Sequence, residues 1–575
     1  MTRKLTFPAF ALALMVGFSG CELAVDNPNQ PDRARALAGP DDVETLISSA
    51  FQQVWAIGHY WNNANFAFNH MSSRHTATWG NMAMNDLGRE PREPLPNTAS
   101  YRWAYVFEAN WGNAYGGISA ASDGIRAIEA GLEIGAGGER NGRATVFAKF
   151  SQAMAYCYLG LLYDQAFFVD ETTDLGGELE TVPYTTMVTQ ALAKFDETIA
   201  LARATSFTLE TGWINGNPLT NTQLADLMVT MKARCRANAP RTGAEAATVD
   251  WAQVISDSQN GLQELTITGE DASGDHPWWD GMKSLMTENG TWHRMHMDWA
   301  GMADITGQYQ AWLQVPMQQR MPVKISTPDL RYPATNDNGV VGARTGFTDD
   351  DHPPGLHRYN GTIIFRPERG TYRQSHYGDM RHDAYMSSCS FCYFGDIHEI
   401  IPRELRLYEA EAAYRTGNYA ETARIVNQTR TAAGLPDAPS NATSDVPGGA
   451  NCVPRMRYDT QGRCGKLRDA LIYEHFEEIY GESGGLEFWH GRRFDILPAG
   501  TGLHFPIPAV DLEVLQRSVY TFGGGAGTEA GDPTPPIIVP GSLDNAIERA
   551  TFTMGQLELK REALQRAKLS QLIVR

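Results

Sequence analysis

A mostly α-helical fold is predicted by three features of the chain. Apolar residues recur at offsets of three and four, several of these segments open on capping residues, and they close on glycine or proline. The clearest case starts just after Ile400. Leu405, Tyr408 and Ala412 share one helical face, and the pattern stops at Gly417, where a residue without Cβ lets the chain reverse. Asn418 followed three residues later by Glu421 has the form of a capping box. A second helix should therefore begin at Tyr419, bury Ala423 and Val426, and end before Gly434 and Pro436. Two antiparallel helices joined by so tight a turn make a tetratricopeptide-like unit, which buries its apolar faces only against neighbouring pairs. Further pairs are expected upstream.

Phe147, Phe150, Met154, Cys157, Tyr158 and Leu161 form one upstream stripe, and Val188, Leu192, Phe195 and Ile199 form another. Leu224, Met228, Met231 and Cys235 share a third face. Asp250 with Gln253 caps a helix carrying Trp251, Val254, Ile255 and Leu262. All these stripes read as core, which makes Cys157 and Cys235 buried free thiols. No fixed period links the pairs, so the expectation is an irregular helical domain rather than a regular solenoid.

The chain has 575 residues, yet its apolar periodicity runs on without a low-complexity linker until the C-terminal tail. One main domain is expected over 41–520. Its 48 basic and 67 acidic side chains leave a net charge of −19. That charge repels phosphate backbones and anionic lipid, so it argues against nucleic-acid binding and favours a neutral or basic ligand. At the N-terminus Arg3 and Lys4 precede an apolar run from Leu5 to Phe18, and Ser19, Gly20 and Cys21 follow. Residues 1–20 thus read as a signal peptide. The placement of Cys21 resembles a bacterial lipobox, with a lipid on Cys21 anchoring a domain that lacks a later spanning segment. An ordinary secretory signal is the alternative. Residues 21–40, polar from Asp26 to Arg35, form a tether. At the other end, 521–541 reads as a Gly/Pro-rich linker and 542–575 as a charged helix with Ile547, Ala550, Met554, Leu557 and Leu564 on one stripe. That helix caps the domain or docks on a partner.

Among the other cysteines, Cys389 and Cys392 form a C-x2-C, and Cys452 and Cys464 lie further on. Four thiols suggest zinc, but an exported chain meets an oxidising compartment, and no histidines support a metal set. Cys452 with Cys464 reads as a loop-closing disulfide and Cys389 with Cys392 as a second. Enzyme signals are weak. Gly481–Gly485 fits G-x-S-x-G around Ser483, but that elbow needs a strand before it, and a helix is predicted there. His398 and Glu399 begin like a zincin motif, which Pro402 breaks. Asp349, Asp350, Asp351 and His352, like Asn336, Asp337 and Asn338, lack the full spacing of a calcium loop and read as solvated loops.

Aromatic residues in the connecting segments are the better lead. Trp278, Trp279, Trp292, Trp299 and Trp312, five of the thirteen tryptophans, lie among Gly, Asp, Asn and His. Trp61, Asn62 and Asn63 with Trp79 and Asn81 form a second group. A tryptophan face stacks on a pyranose while amides and carboxylates take its hydroxyls, and the same platform accepts apolar peptide side chains. Packing under long loops is the competing use of such rings.

Three stretches in order, IPRELRLYEAEAAYRTGNYAETARIVNQTRTAAGLP, LRDALIYEHFEEIYGESGGLEFWHGRRFDIL and LHFPIPAVDLEVL, closely resemble the C-terminal signature of the SusD/RagB family of outer-membrane nutrient-binding lipoproteins. WGNAYGGISAASDGIRAIEAG and AKFSQAMAYCYLGLLYDQAF resemble that family's earlier helices, so the likeness spans most of the chain. One departure is the late helix, where Glu474, His475, Phe476, Glu477 and Glu478 replace an arginine-rich "ER…E". The resemblance implies a SusD-like helical domain with tetratricopeptide-like pairs and a loop-rich ligand face. It implies a lipid-anchored protein of the outer-membrane surface that captures a nutrient, most often an oligosaccharide, and passes it to a SusC-like TonB-dependent channel. Neither catalysis nor a cofactor or metal is implied. Ligand residues in the family lie on variable loops, so no contact is transferred. The alternatives are a RagB-like peptide receptor, a structural surface protein assembling through its C-terminal helix, and a secreted hydrolase using Ser483.

Overall fold

Helices form along the apolar stripes, and eight of the longer ones pack one on the next in chain order, with shorter helices between some of them. They are α1 (Pro40–His59), α2 (Tyr105–Glu129), α3 (Asn141–Leu162), α4 (Tyr184–Ala204), α5 (Asn221–Asn238), α6 (Trp251–Asn260), α7 (Pro402–Arg415) and α8 (Tyr419–Ala432). The structure, a computed structural model, describes residues 37, 39–60, 63–77, 82–270, 278–283, 293–332, 356–359, 373–379, 381–382, 395–479, 481–482, 485–524 and 537–538. Each of the eight helices packs on the next, so four tetratricopeptide-like pairs share one core and the fold is mostly α.

Local signals set the helix ends. Pro40 and Pro402 open α1 and α7, where a missing N–H loses no bond. Thr220 and Gln223 form a full capping box on α5, while Asp250 and Asn418 accept the backbone N–H of Gln253 and Glu421. Gly417 turns the chain between α7 and α8 at φ 80°. Leu262 lies past the end of α6, because the helix stops at Asn260. Close packing of α1 on α2 relies on Gly117, where a Cβ would sit 2.5 Å from Val54 and 2.9 Å from the Ala50 carbonyl oxygen.

Cys157 and Cys235 are not free thiols. They form a disulfide between α3 and α5, with Cα atoms 5.9 Å apart and 78 residues between them in sequence. Both stripes do face the core, but they face it at the same point, which brings the two sulfurs together. Cys452 pairs with Cys464 at a Cα separation of 5.8 Å. Cys389 and Cys392 lie outside the described residues, as does Cys21.

The long connection between α6 and α7 starts and ends on one antiparallel ribbon, Leu265–Thr268 with Asp396–Ile400. His398 and Glu399 therefore sit on a strand, not a zincin helix. Within the connection His293–Met295 pairs back to His75–Ala77, and His357–Tyr359 pairs with Tyr377–Asp379. Beyond α8 come α9 (Leu467–Ile479) and α10 (Leu486–Arg493). The acidic departure on α9 is a buried charge hub. Arg331 bonds Glu474 at 2.8 Å and Glu478 at 3.1 Å, Arg403 lies 3.2 Å from Glu478, and His357 lies 2.5 Å from Glu477. Two arginines and a histidine from three segments thus converge on one helix face, where truncating either arginine would strand a buried carboxylate.

The segment from 521 is not all linker. Tyr520–Thr521 pairs antiparallel with Ile537–Ile538, Phe522 is buried, and Gly523 bridges Pro94. Strand pairing and one buried ring extend the domain to at least residue 524. The predicted helix over 542–575 lies outside the described residues.

Candidate functional site

The C-terminal end of α1 builds the best-defined platform. Trp55 and His59 lie one turn apart on the same face, and their rings stack at 4.1 Å. Trp278 packs on Trp55 at 5.0 Å and on Phe51 at 6.3 Å. Its neighbour Trp279 points elsewhere and stays half-buried, with its ring 6.5 Å from that of half-buried Tyr60. Gln52 donates to the Tyr60 hydroxyl at 3.1 Å, and burial pushes the phenol up to about 12. Asn215 donates to nearby Glu270 at 3.3 Å.

Buried charges hold this arrangement. His59 Nδ1 lies 2.7 Å from Asp280, and its Nε2 lies 2.7 Å from Glu399. Trp55 Nε1 donates to the same Glu399 oxygen at 3.1 Å. Arg234 bonds Glu399 at 2.7 Å and takes Glu404 through two nitrogens at 2.8 and 2.7 Å. Lys283 lies 3.8 Å from Asp280 and 3.2 Å from Glu482. Burial alone would lower the His59 pKa, but the Glu399 charge and the hydrogen bonds that the ring donates to both carboxylates outweigh it and hold the imidazole above 6.5. Burial opposes the Glu399 carboxylate too, yet His59 and Arg234 bring it down to about 2. Asp280 follows Trp279 directly, so the clamp on Asp280 fixes where Trp279 stands relative to α1.

Three of the predicted platform tryptophans are core. Trp278 is 5% exposed, Trp299 0% and Trp312 3%, which leaves no face open to a ligand. Trp299 stacks on Phe476 at 4.6 Å with the Arg74 guanidinium 3.5 Å over its ring, and Trp312 packs on Tyr309 at 5.7 Å. Large rings fill the gaps beneath loops that have few other apolar residues. Trp61, Trp79, Asn81 and Trp292 lie outside the described residues. Among the described residues Trp279 therefore remains from the first group, and the structure brings it to Tyr60, the residue just before Trp61. Tyr60 was missed because it ends a helix; its place beside Trp61 and Asn62 was the available signal. The hydrolase reading loses its structural basis, since helix α9 rather than a strand precedes Gly481.

No family model matches the chain. No curated protein matches it either. Among solved structures the chain is similar to a SusD-like protein from Bacteroides fragilis, at 13% identity and TM-score 0.48, over 80% of this chain and 86% of that one. It is similar to a SusD superfamily protein from Parabacteroides distasonis, at 12% identity and TM-score 0.48, over 82% and 97% of the two chains. It is also similar to surface glycan-binding protein A from Bacteroides uniformis, at 12% identity and TM-score 0.46, over 80% and 88%.

Proposed function

We propose that this chain is a SusD/RagB-like lipoprotein, anchored through Cys21 at the outer-membrane surface, that captures an oligosaccharide and hands it to a SusC-like TonB-dependent channel. It performs no chemistry on its ligand. The observation that carries the reading is the Trp279–Tyr60 pair, two half-buried rings fixed by a fully buried ion cluster. An aromatic surface that is already ordered loses little entropy when a pyranose stacks on it, and amides and carboxylates such as Gln52 and Glu270 suit its hydroxyls. Anchor and partner come from the sequence signature.

Calorimetry of the full chain against a panel of oligosaccharides and peptides tests this. A saccharide should bind, and Trp279→Ala should weaken it at least tenfold, about 1.4 kcal/mol, without moving the melting temperature. Binding to peptides alone would move the protein to the peptide-receptor class. Unchanged saccharide affinity in Trp279→Ala would remove this platform.

A further inference from the structure

Of the five large apolar side chains that stand exposed among the described residues, two share one short helix. Val510, 36% exposed, and Val514, 40% exposed, lie one turn apart on α11 (Ala509–Val514) and present one apolar edge to solvent. Asn97 fixes what lies beside them. Its Nδ2 donates to the carbonyls of Ile507 at 3.0 Å and Tyr520 at 2.9 Å, and its Oδ1 accepts from the Ala509 N–H at 2.9 Å. A few residues on, Tyr101, Trp103 and Tyr105 are half-buried, with Tyr105 edge-on to Trp103 at 5.9 Å and the Arg102 guanidinium 4.3 Å over an indole face. Half-buried Glu108 follows on α2, where burial and then the nearby Asp511 charge push its carboxyl up. Exposed valines, half-buried rings and the carboxylates of Glu108, Asp511 and Glu513 thus make up one face.

The last described residues lie at the same place. Ile538 pairs with Tyr520, the residue whose carbonyl Asn97 holds. Leu543, at the start of the segment predicted to be helical, is five residues past Ile538, a span of at most about 18 Å. Within that segment Leu557, Arg561, Leu564 and Lys568 recur at offsets of four, three and four, a spacing that puts leucines and cations on one helical face. From Lys560 to Arg575 it has five basic side chains and one acidic, the opposite sign to the −19 of the whole chain. A helix of this pattern covers apolar surface with its leucines while its cations meet carboxylates, which is what the face around α11 offers.

We infer that residues 542–575 seat on this face of their own chain, laying the line of Leu557 and Leu564 over Val510 and Val514 and bringing Arg561 and Lys568 to Glu108, Asp511 and Glu513. The seat is intramolecular because so short a connection from Ile538 keeps the segment at an effective concentration of about millimolar, which a second copy in dilute solution does not match. Sequence alone gave the segment two roles, capping the domain or docking on a partner. The position of Ile537–Ile538 beside α11 favours the cap.

Hydrogen exchange of the full chain, read by mass spectrometry, tests this against a full-length Leu557→Asp, Leu564→Asp variant. Amides over 103–108 and 509–515 should exchange about tenfold faster in the variant, while those of α5 and α6 keep their rates. Val514→Asp approaches the contact from the other side. It should speed exchange over 550–568 by a similar factor, and it covers the case in which the tail variant folds poorly. High salt should loosen the seat in the unsubstituted chain, since part of it is charge pairing. Equal exchange over 103–108 and 509–515 with and without the tail substitutions, together with a Val514→Asp variant that leaves 550–568 unchanged, would overturn the seat. Protection of the face that rises with protein concentration would also overturn it, by showing that a second copy is the cover.

Discussion

Trp278 and Trp279 are adjacent in sequence and opposite in surroundings. Trp278 fills space against Trp55 and Phe51, while Trp279 shares a half-buried surface with Tyr60. The next residue, Asp280, decides this difference, because it is pinned between His59 and Lys283. Asp280→Ala should leave both cations short of a carboxylate in a buried setting and cost about 3–5 kcal/mol. Guanidinium denaturation followed by tryptophan fluorescence measures it. A midpoint equal to wild type would show that the clamp does not hold the loop. A weakened saccharide affinity in the same variant would show that Trp279 is positioned through Asp280, since Asp280 itself is buried and out of ligand reach.

At the scale of elements, two covalent ties act on different parts of the stack. The Cys157–Cys235 bridge joins α3 to α5 across α4, enclosing a 78-residue separation, and Cys452–Cys464 closes a 12-residue one ahead of α9. Loop-closure entropy makes the longer tie the stronger, at about 4.5 kcal/mol against about 3. The double substitution Cys157→Ala, Cys235→Ala should therefore lower the denaturation midpoint more than Cys452→Ala, Cys464→Ala. The reverse order, seen in urea titrations of both variants, would mean that the shorter loop is the mechanically important one. Helix α9 is held differently, by Arg331, Arg403 and His357 reaching its glutamates from outside. Those contacts also secure the described parts of the long connection between α6 and α7 onto the stack.

For the whole molecule, buried titratable groups set an acid limit. Burial holds His70 down to about 4 and His382 down to about 3, so both stay neutral in the fold while the unfolded chain protonates near 6.5. As pH falls below 6.5 the unfolded state takes up protons that the folded state refuses. Stability then drops by about 1.4 kcal/mol per pH unit for each such histidine. Glu90, Glu399 and Glu482, brought down to about 2 by partner cations and histidines despite burial, add a second loss from about pH 4.5 toward 2. His59 has the opposite sign: its contribution is full below 6.5 and fades as pH rises through its elevated folded value. Calorimetric melting between pH 8 and 3 should show a decline that starts near 6.5 and steepens below 4.5. A flat profile down to pH 4.5 would contradict the buried neutral histidines.

What the sequence determined by itself was local. The turn at Gly417, the caps at Asp250 and Asn418, and the stripes of α3 to α8 depend on residues within a few positions of one another, so periodicity and capping chemistry were enough to read them. The candidate site was legible only in outline. Tryptophans in segments without periodicity carry no mark of which face they will present, and Trp278 and Trp299 were placed in the core by partners, Trp55 and Phe476, that lie far away along the chain. The same holds for the pairing of Cys157 with Cys235 and for the cations that meet Glu474 and Glu478. Tertiary structure alone decided these, because burial and charge compensation are properties of which distant segments meet, and a one-dimensional pattern records only what each segment needs.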